Sequence, residues 1–365
     1  MDMETQDPRG ADHMREALWY FQHENDMVRC FLCAHTCNIT PGERGKCNVR
    51  ENRNGVLWSL VYGRPVARHV DFIEKKPLYH VYPGSLSYSY GTAGCNFHCT
   101  FCQNADIAHP RKILGAISVQ DVPPQNIVSE ALVQGCSSIA ATYTEPTVFM
   151  EYALDVARLG RERQLAQGFV TNGFMTPKSL KDLTPVLDAA NVDLKSFRDD
   201  FYIQQCEARL KPVLQTLRSL KKAGVWLEVT TLVIPGLNDS WDELTEMADF
   251  IAFSLGPDTP WHLSAFHPSY KLKDRPRTPI ETLFKAREIG VAAGLHYVYL
   301  GNVLESEYRH TYCHHCGRKL IDRSQMVGEP VGLQNGGCSE CGHRLPGLGI
   351  QVSAAAGGGR QFDRV

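Results

Sequence analysis

The chain has 365 residues, of which 43% are hydrophobic and 21% are charged, and its formal net charge is −2. This composition is ordinary for a globular protein, and the length suits one large domain with appendages or two domains. The near-neutral charge gives no global case for binding nucleic acid or an anionic membrane. The sequence shows neither an apolar run of about 18 residues nor a leader-like N-terminus, so we expect a cytoplasmic protein without a membrane partner.

Cysteine usage points to metal sites. Thirteen cysteines in a chain without a secretion signal favour metal ligation over disulfides. Eleven of them form three groups, whereas Cys136 and Cys206 stand apart and are expected to be buried thiols.

The N-terminal region, residues 1–82, is predicted to be a small metal-binding module. Residues 1–14 are expected to fray, and residues 17–25 are predicted to form a short helix. Two short knuckles joined by a Pro/Gly turn then offer four thiolates, and zinc and an iron–sulfur cluster both fit them. These are Cys30, Cys33, Cys37 and Cys47.

A second cysteine group follows a predicted strand that ends in a glycine turn. Cys95, Cys99 and Cys102 are separated by three and two residues, a spacing that can hold three irons of a [4Fe–4S] cube. The fourth iron is then free to bind the amino and carboxylate groups of S-adenosylmethionine (SAM). This spacing, with the aromatic Phe101 before the last cysteine, is the signature of radical SAM enzymes, while a zinc knuckle or a pair of core thiols is the alternative.

Residues 83–303 alternate short apolar runs with amphipathic helices. Such alternation predicts parallel strands with right-handed crossovers, and six or seven units indicate a partial (β/α)6-type barrel rather than a closed one. The predicted strands are 87–91, 138–143, 168–171, 191–194, 226–234, 261–266 and 296–300. The predicted helices are 125–134, 146–164, 177–189, 212–223, 242–254 and 280–293.

The carboxyl ends of barrel strands usually carry the chemistry, and polar residues stand at several of them. Glu145 can accept hydrogen bonds from an ammonium group, and Asn172 precedes a glycine that permits close approach to a ligand. Alternation places Asp193 and Lys195 on one face, as ligand groups or as a structural ion pair. Further along, His262 and His267 either line a substrate cavity or are satisfied core histidines.

Residues 304–350 contain two CxxC knuckles, each followed by glycine, and predict a zinc-ribbon-like module. This pattern favours structural Zn²⁺, and an auxiliary iron–sulfur cluster is the alternative. The ligands are Cys313, Cys316, Cys338 and Cys341. Residues 351–365 are predicted to form a flexible tail.

In order along the chain, these motifs resemble those of the radical SAM enzymes of the AmmeMemoRadiSam system, relatives of pyruvate formate-lyase activating enzyme. The resemblance spans residues 30–349 and rests on the cysteine motifs, residues 74–80, 143–146, 171–173, 193–195, 234–238, 266–268 and 299–302. It implies catalytic roles for Cys95, Cys99, Cys102 and Lys195. It also implies cofactor contacts for Phe101, Tyr143, Glu145, Asn172, Asp193 and Lys195, with Asp193 near a monovalent cation.

The resemblance implies a [4Fe–4S] cluster, SAM and an electron donor such as flavodoxin or ferredoxin. The sequence departs from the family pattern at residues 206–209 and 304–310, which points to a divergent substrate. We expect a SAM-derived radical that takes hydrogen from a small molecule. The alternatives are an activase that places a glycyl radical on a partner protein, a 3-amino-3-carboxypropyl transferase and a zinc-ribbon binding or sensor protein, although scattered basic residues argue against nucleic acid.

Overall fold

The computed structural model describes residues 14–109, 120–304 and 307–350. The predicted tail at 351–365 and, except for its last residue, the segment 1–14 that is predicted to fray lie outside the described residues. Across these three described ranges, no helix is both long and apolar enough to span a membrane.

The N-terminal module consists of short antiparallel strands. They form two three-stranded sheets, with orders β2-β3-β4 and β1-β6-β5. The strands are β1 (Arg15–Glu16), β2 (Tyr20–Gln22), β3 (Val28–Cys30), β4 (Asn38–Ile39), β5 (Arg50–Arg53) and β6 (Val56–Ser59). The helix predicted for residues 17–25 is wrong. Strand β2 pairs with β3 across a tight hairpin in which Asn25 and Asp26 adopt positive φ angles, which local polar side chains tolerate.

An eight-stranded sheet forms the centre of the described structure. Its strands are β7 (Pro65–Phe72), β8 (Leu86–Thr92), β9 (Ser138–Ala141), β10 (Ala166–Thr171), β11 (Ala189–Asp193), β12 (Trp226–Val233), β13 (Trp261–Ala265) and β14 (Val298–Gly301). Neighbours from β8 to β14 are parallel, and β7 adds an antiparallel edge beside β8. Because β7 and β14 remain at opposite edges, the sheet does not close, which confirms the predicted partial barrel.

Helices connect the parallel strands close to the predicted positions. They are α1 (Ala105–Ala108), α2 (Pro124–Val133), α3 (Met150–Glu162), α4 (Pro177–Leu183), α5 (Asp199–Phe201), α6 (Leu210–Lys222), α7 (Trp241–Asp249) and α8 (Ile280–Ala292). Helix α4 begins with a capping box between Thr176 and Ser179, and Pro177 occupies its first turn, where a missing N–H costs nothing. Single 3-10 turns cover Glu24–Asp26, Ile73–Lys75, Pro146–Phe149 and Glu307–Arg309, and π-helical turns cover Tyr202–Cys206 and Phe250–Leu255.

The C-terminal module has five short strands and a small core of its own. The strands are β15 (Thr311–Tyr312), β16 (Lys319–Asp322), β17 (Glu329–Pro330), β18 (Leu333–Gln334) and β19 (Gly337–Cys338). Its apolar cluster joins Leu320 and Ile321 to Tyr297 and Tyr299 of the last barrel strand region. The N-terminal module, in contrast, shares one continuous core with the barrel.

Candidate active site

The loop that carries the central cysteines leaves the sheet at Thr92 and packs against the N-terminal module. Gly94 has φ +98°, and a Cβ at this position would lie 2.5 Å from Val49 and 3.0 Å from the Cys47 carbonyl. Only glycine therefore permits this approach. Further along the loop, the backbone N–H of Phe97 points at Cys95 Sγ, 3.4 Å away.

The following part of the loop is held by the π-helical turn at Tyr202–Cys206. The N–H groups of His98 and Thr100 donate to the carbonyls of Cys206 and Gln205 at 3.0 and 2.9 Å. The Thr100 hydroxyl also donates to Gln205 Oε1 at 2.7 Å. These bonds hold the backbone on both sides of Cys99.

Glu145 and Asn172 are hydrogen-bonded to each other next to Cys95. The Glu145 carboxylate is 1% exposed and accepts hydrogen bonds from the Thr171 hydroxyl at 2.6 Å and from the Asn172 N–H at 2.8 Å. Thr147 donates to the same carboxylate. Burial raises the pKa of Glu145, although these donors oppose the shift. Asn172 Nδ2 in turn lies 3.9 Å from Cys95 Sγ and 2.7 Å from Asn96 Oδ1.

Asp193 and Lys195 form an ion pair beside Cys99. Lys195 Nζ lies 2.7 Å from Asp193 Oδ2 and 5.8 Å from the centre of the Phe101 ring. Burial works against the charge on Lys195, but Asp193 and the Cys99 thiolate together raise the lysine pKa. A hydrogen bond from Cys206 lowers the pKa of Cys99; burial opposes this shift, and the Lys195 charge adds to it. Cys206, predicted only as a buried thiol, is thus a neighbour of the loop.

Tyr143 stands at the end of the second parallel strand, as predicted. Its φ is +69°, its carbonyl accepts a hydrogen bond from Asn104, and Lys76 Nζ lies 5.2 Å from its ring centre.

The two candidate histidines, His262 and His267, differ in burial. His262 is buried and bonded to Glu228 at 2.6 Å, so it is a satisfied core residue, whereas His267 is exposed.

The three-cysteine loop has the features expected of an iron–sulfur site. Cys95, Cys99 and Cys102 supply three thiols, and among the described residues they do not form a set with all sulfurs within 4.8 Å. That spread suits the separate corners of a cube better than one small ion. The buried Nδ2 of Asn96 has no hydrogen-bond partner in the described part of the chain, leaving a donor for a ligand.

The four C-terminal cysteines are arranged differently. Cys313 and Cys341 have sulfurs 3.6 Å apart, Cys316 and Cys338 have sulfurs 3.5 Å apart, and all four lie within 4.8 Å of one another. This group can hold a metal ion. It lies at the opposite end of the barrel, because His314 stacks on His296 and contacts the Tyr297 hydroxyl at 3.2 Å, and both of these residues precede strand β14.

The chain is similar to several known proteins. The profile of the radical SAM superfamily matches residues 89–251. An uncharacterized protein of Methanocaldococcus jannaschii is 43% identical over 336 residues, which cover 91% of this chain and 99% of that protein. The GTP 3′,8-cyclase of Helicobacter pylori is 30% identical over 167 residues, 44% of this chain and 49% of the cyclase. A crystallised domain of a pyruvate-formate lyase-activating enzyme from Bacteroides vulgatus superposes with a TM-score of 0.41 at 16% identity, covering 46% of this chain and 99% of that domain.

Residues 89–251 of the chain form a radical SAM domain. This match confirms the radical SAM prediction made from the cysteine spacing and implies an enzyme that uses a [4Fe–4S] cluster and SAM.

Proposed function

We propose that the protein cleaves SAM reductively and uses the resulting radical to take a hydrogen atom from a small-molecule substrate. The observation that carries this proposal is the convergence of three strand ends on the cysteine loop. Asn172 contacts Cys95, and Lys195 with Asp193 stands beside Cys99. When bound, the reduced cluster would supply one electron that breaks a C–S bond of SAM to give methionine and a 5′-deoxyadenosyl radical.

The residues of the chain then have distinct roles. Cys95, Cys99 and Cys102 hold the cluster. Lys195 and Asp193 present a charged pair to the polar groups of SAM. Phe101 within the loop and Tyr143 after strand β9 supply aromatic surface. Glu145 is nearly saturated with hydrogen bonds, so it acts mainly by holding Asn172, which faces the loop. Such supporting contacts orient ligands as strongly as direct ones do.

A small molecule is favoured over a protein loop as substrate. The N-terminal module packs on the end of the barrel where the loop lies: Ala34 N–H donates to the Phe174 carbonyl at 3.2 Å, and His35 bonds to the Asn96 carbonyl at 2.7 Å. This cover narrows the mouth that an activase would need to keep open. The C-terminal module lies at the other end and does not obstruct it.

For the C-terminal cysteines we propose structural zinc. A tetrahedral site with Zn–S bonds of 2.3 Å places its sulfurs about 3.8 Å apart, close to the two distances in this module. Glycines 317 and 342 follow the two knuckles with positive φ, as tight turns around one ion require.

Anaerobic assay of SAM cleavage tests the proposal. The reconstituted protein with dithionite is expected to release 5′-deoxyadenosine, and the Cys95→Ala/Cys99→Ala/Cys102→Ala variant is expected to release none. Cys136→Ala is the matched control, because Cys136 is a buried thiol outside all three groups. Release of 5′-methylthioadenosine instead would indicate a 3-amino-3-carboxypropyl radical. Absence of any cleavage under these conditions contradicts the proposal.

A further inference from the structure

The N-terminal cysteines surround a cavity next to the active-site loop. Cys30 ends strand β3, Cys33 and Cys37 lie in the β3–β4 connection, and Cys47 precedes β5. All four line one cavity together with Arg50 and apolar side chains that include Leu32, Ile39 and Val148. A backbone hydrogen bond brings two of these cysteines together, since the Cys30 N–H donates to the Cys37 carbonyl at 2.9 Å. We call the four cysteines the N-terminal cage.

The sulfurs of this cage are farther apart than those of the C-terminal module. No three of these four thiols, all of which lie within the described residues, have sulfurs that are all within 4.8 Å of one another. One zinc ion needs sulfurs about 3.8 Å apart, whereas a cube binds one thiolate at each of four separate irons.

Arg50 supplies an independent indication of a charged occupant. Its side chain is 1% exposed, and only Nη2 is engaged, by Glu151. Nε and Nη1 are buried without a hydrogen-bond partner within the described structure. A buried guanidinium with unused N–H groups on a thiolate-lined cavity is costly unless an anionic acceptor fills the space. A [4Fe–4S] cube with four thiolates is such an anion, and its sulfurs accept N–H bonds.

We propose that Cys30, Cys33, Cys37 and Cys47 bind a second [4Fe–4S] cluster, with Arg50 directed at it. All four irons are ligated, so this cluster has no open iron and does not bind SAM. It lies beside the catalytic loop, because the Cys47 carbonyl packs against Gly94, the residue before Cys95. This assignment does not depend on the proposed reaction: loss of SAM cleavage would leave its metal content unchanged.

Metal analysis of protein reconstituted anaerobically with ⁵⁷Fe and sulfide tests the assignment. The Cys95→Ala/Cys99→Ala/Cys102→Ala variant is expected to keep about four iron and four sulfide per chain, with a [4Fe–4S]²⁺ Mössbauer doublet. Adding Cys33→Ala and Cys47→Ala is expected to remove that iron. The matched control adds Cys316→Ser to the triple variant in place of Cys33→Ala and Cys47→Ala. It is expected to lose zinc and to keep its iron. Zinc without iron in the N-terminal cage overturns the assignment.

A second measurement keeps the assignment testable if the cage variants fold poorly. The EPR signal of the dithionite-reduced triple variant is expected to be unchanged by SAM, since no iron is open. Arg50→Lys keeps the buried charge but loses the forked N–H groups, so it is expected to retain the iron and to lower the midpoint potential of this signal. A signal that shifts on adding SAM, or a potential that Arg50→Lys leaves unchanged, counts against the proposed cluster and its contact with Arg50.

Discussion

The two four-cysteine modules have similar sequence patterns but differ in depth, position and spacing. The N-terminal module shares its core with the barrel and lies at the carboxyl ends of the strands, beside the catalytic loop. The C-terminal module has a separate small core and docks where the strands begin. Its sulfurs are close enough for one ion, whereas those of the N-terminal cage are spread around a cavity. Similar cysteine spacing in the sequence therefore goes with two different arrangements of the thiols in the fold, which is the basis for proposing two different metals.

The largest expected difference between the two modules is in how they respond to loss of the metal proposed for the C-terminal module. Cys316→Ser with Cys341→Ser is expected to abolish zinc binding and unfold residues 311–345, because a module this small depends on its metal for most of its stability. Metal analysis and hydrogen exchange measure this. Iron content and SAM cleavage are expected to stay at the level of the unaltered protein, and a parallel loss of iron would contradict the separation.

Arg50 of the N-terminal module and Arg323 of the C-terminal module are both 1% exposed, and they allow a matched test. Arg50 pairs with Glu151, and Arg323 donates to the Tyr79 carbonyl at 2.6 Å and to Thr311 Oγ1 at 2.7 Å. Replacing either with leucine is expected to lower the free energy of unfolding by about 3–5 kcal/mol, because a buried charge or acceptor loses its partner. Only Arg50→Leu is expected to lower the iron content as well. Equal iron loss in both variants would remove the distinction.

Acid is expected to loosen the C-terminal module through His80. Burial lowers the pKa of His80 to about 4, although Glu228 opposes the shift and Arg323 adds to it. The unfolded chain has a pKa near 6.5, so it takes up the proton first and stability falls between pH 6.5 and pH 4, by up to about 3 kcal/mol. Hydrogen exchange of residues 311–345 from pH 7 to pH 4.5 measures this. His80→Gln is expected to flatten the profile, and an unchanged profile would show that another group is responsible.

The smallest expected effect concerns the charged pair at the active site. Asp193→Asn removes the carboxylate partner of Lys195 and is expected to slow SAM cleavage by about 10- to 100-fold, as other losses of supporting contacts do. Asp258→Asn, which breaks the contact of Asp258 with His296 at the opposite end of the barrel, is the control and is expected to leave the rate unchanged. An equal effect of the two substitutions would indicate a general loss of stability.

Much of the fold could be predicted because the information is local. Alternating apolar runs and helix signals located all seven parallel strands, and the cysteine spacing identified the loop at the end of the first of these. The short helix at residues 17–25 was wrong because pairing with residues 28–30 outweighs the helical preference of that segment. The partners of Arg50 and Cys206 could not be predicted either. Glu151 is 101 residues from Arg50, and only the folded barrel brings them together.

The bond between Leu32 and Ser179 has a consequence for how the protein is made. The Ser179 hydroxyl donates to the Leu32 carbonyl across 147 residues of chain, and Thr176 reaches the same segment. Helix α4 begins at Pro177, 75 residues after Cys102, so at 5–20 residues per second it is synthesised roughly 4 to 15 s after the loop from Cys95 to Cys102. During these seconds helix α4, which fastens the N-terminal module over the loop, does not yet exist. We expect slower synthesis between residues 103 and 176 to leave more time for metal loading of this loop, and the iron content of protein made at different translation rates measures this.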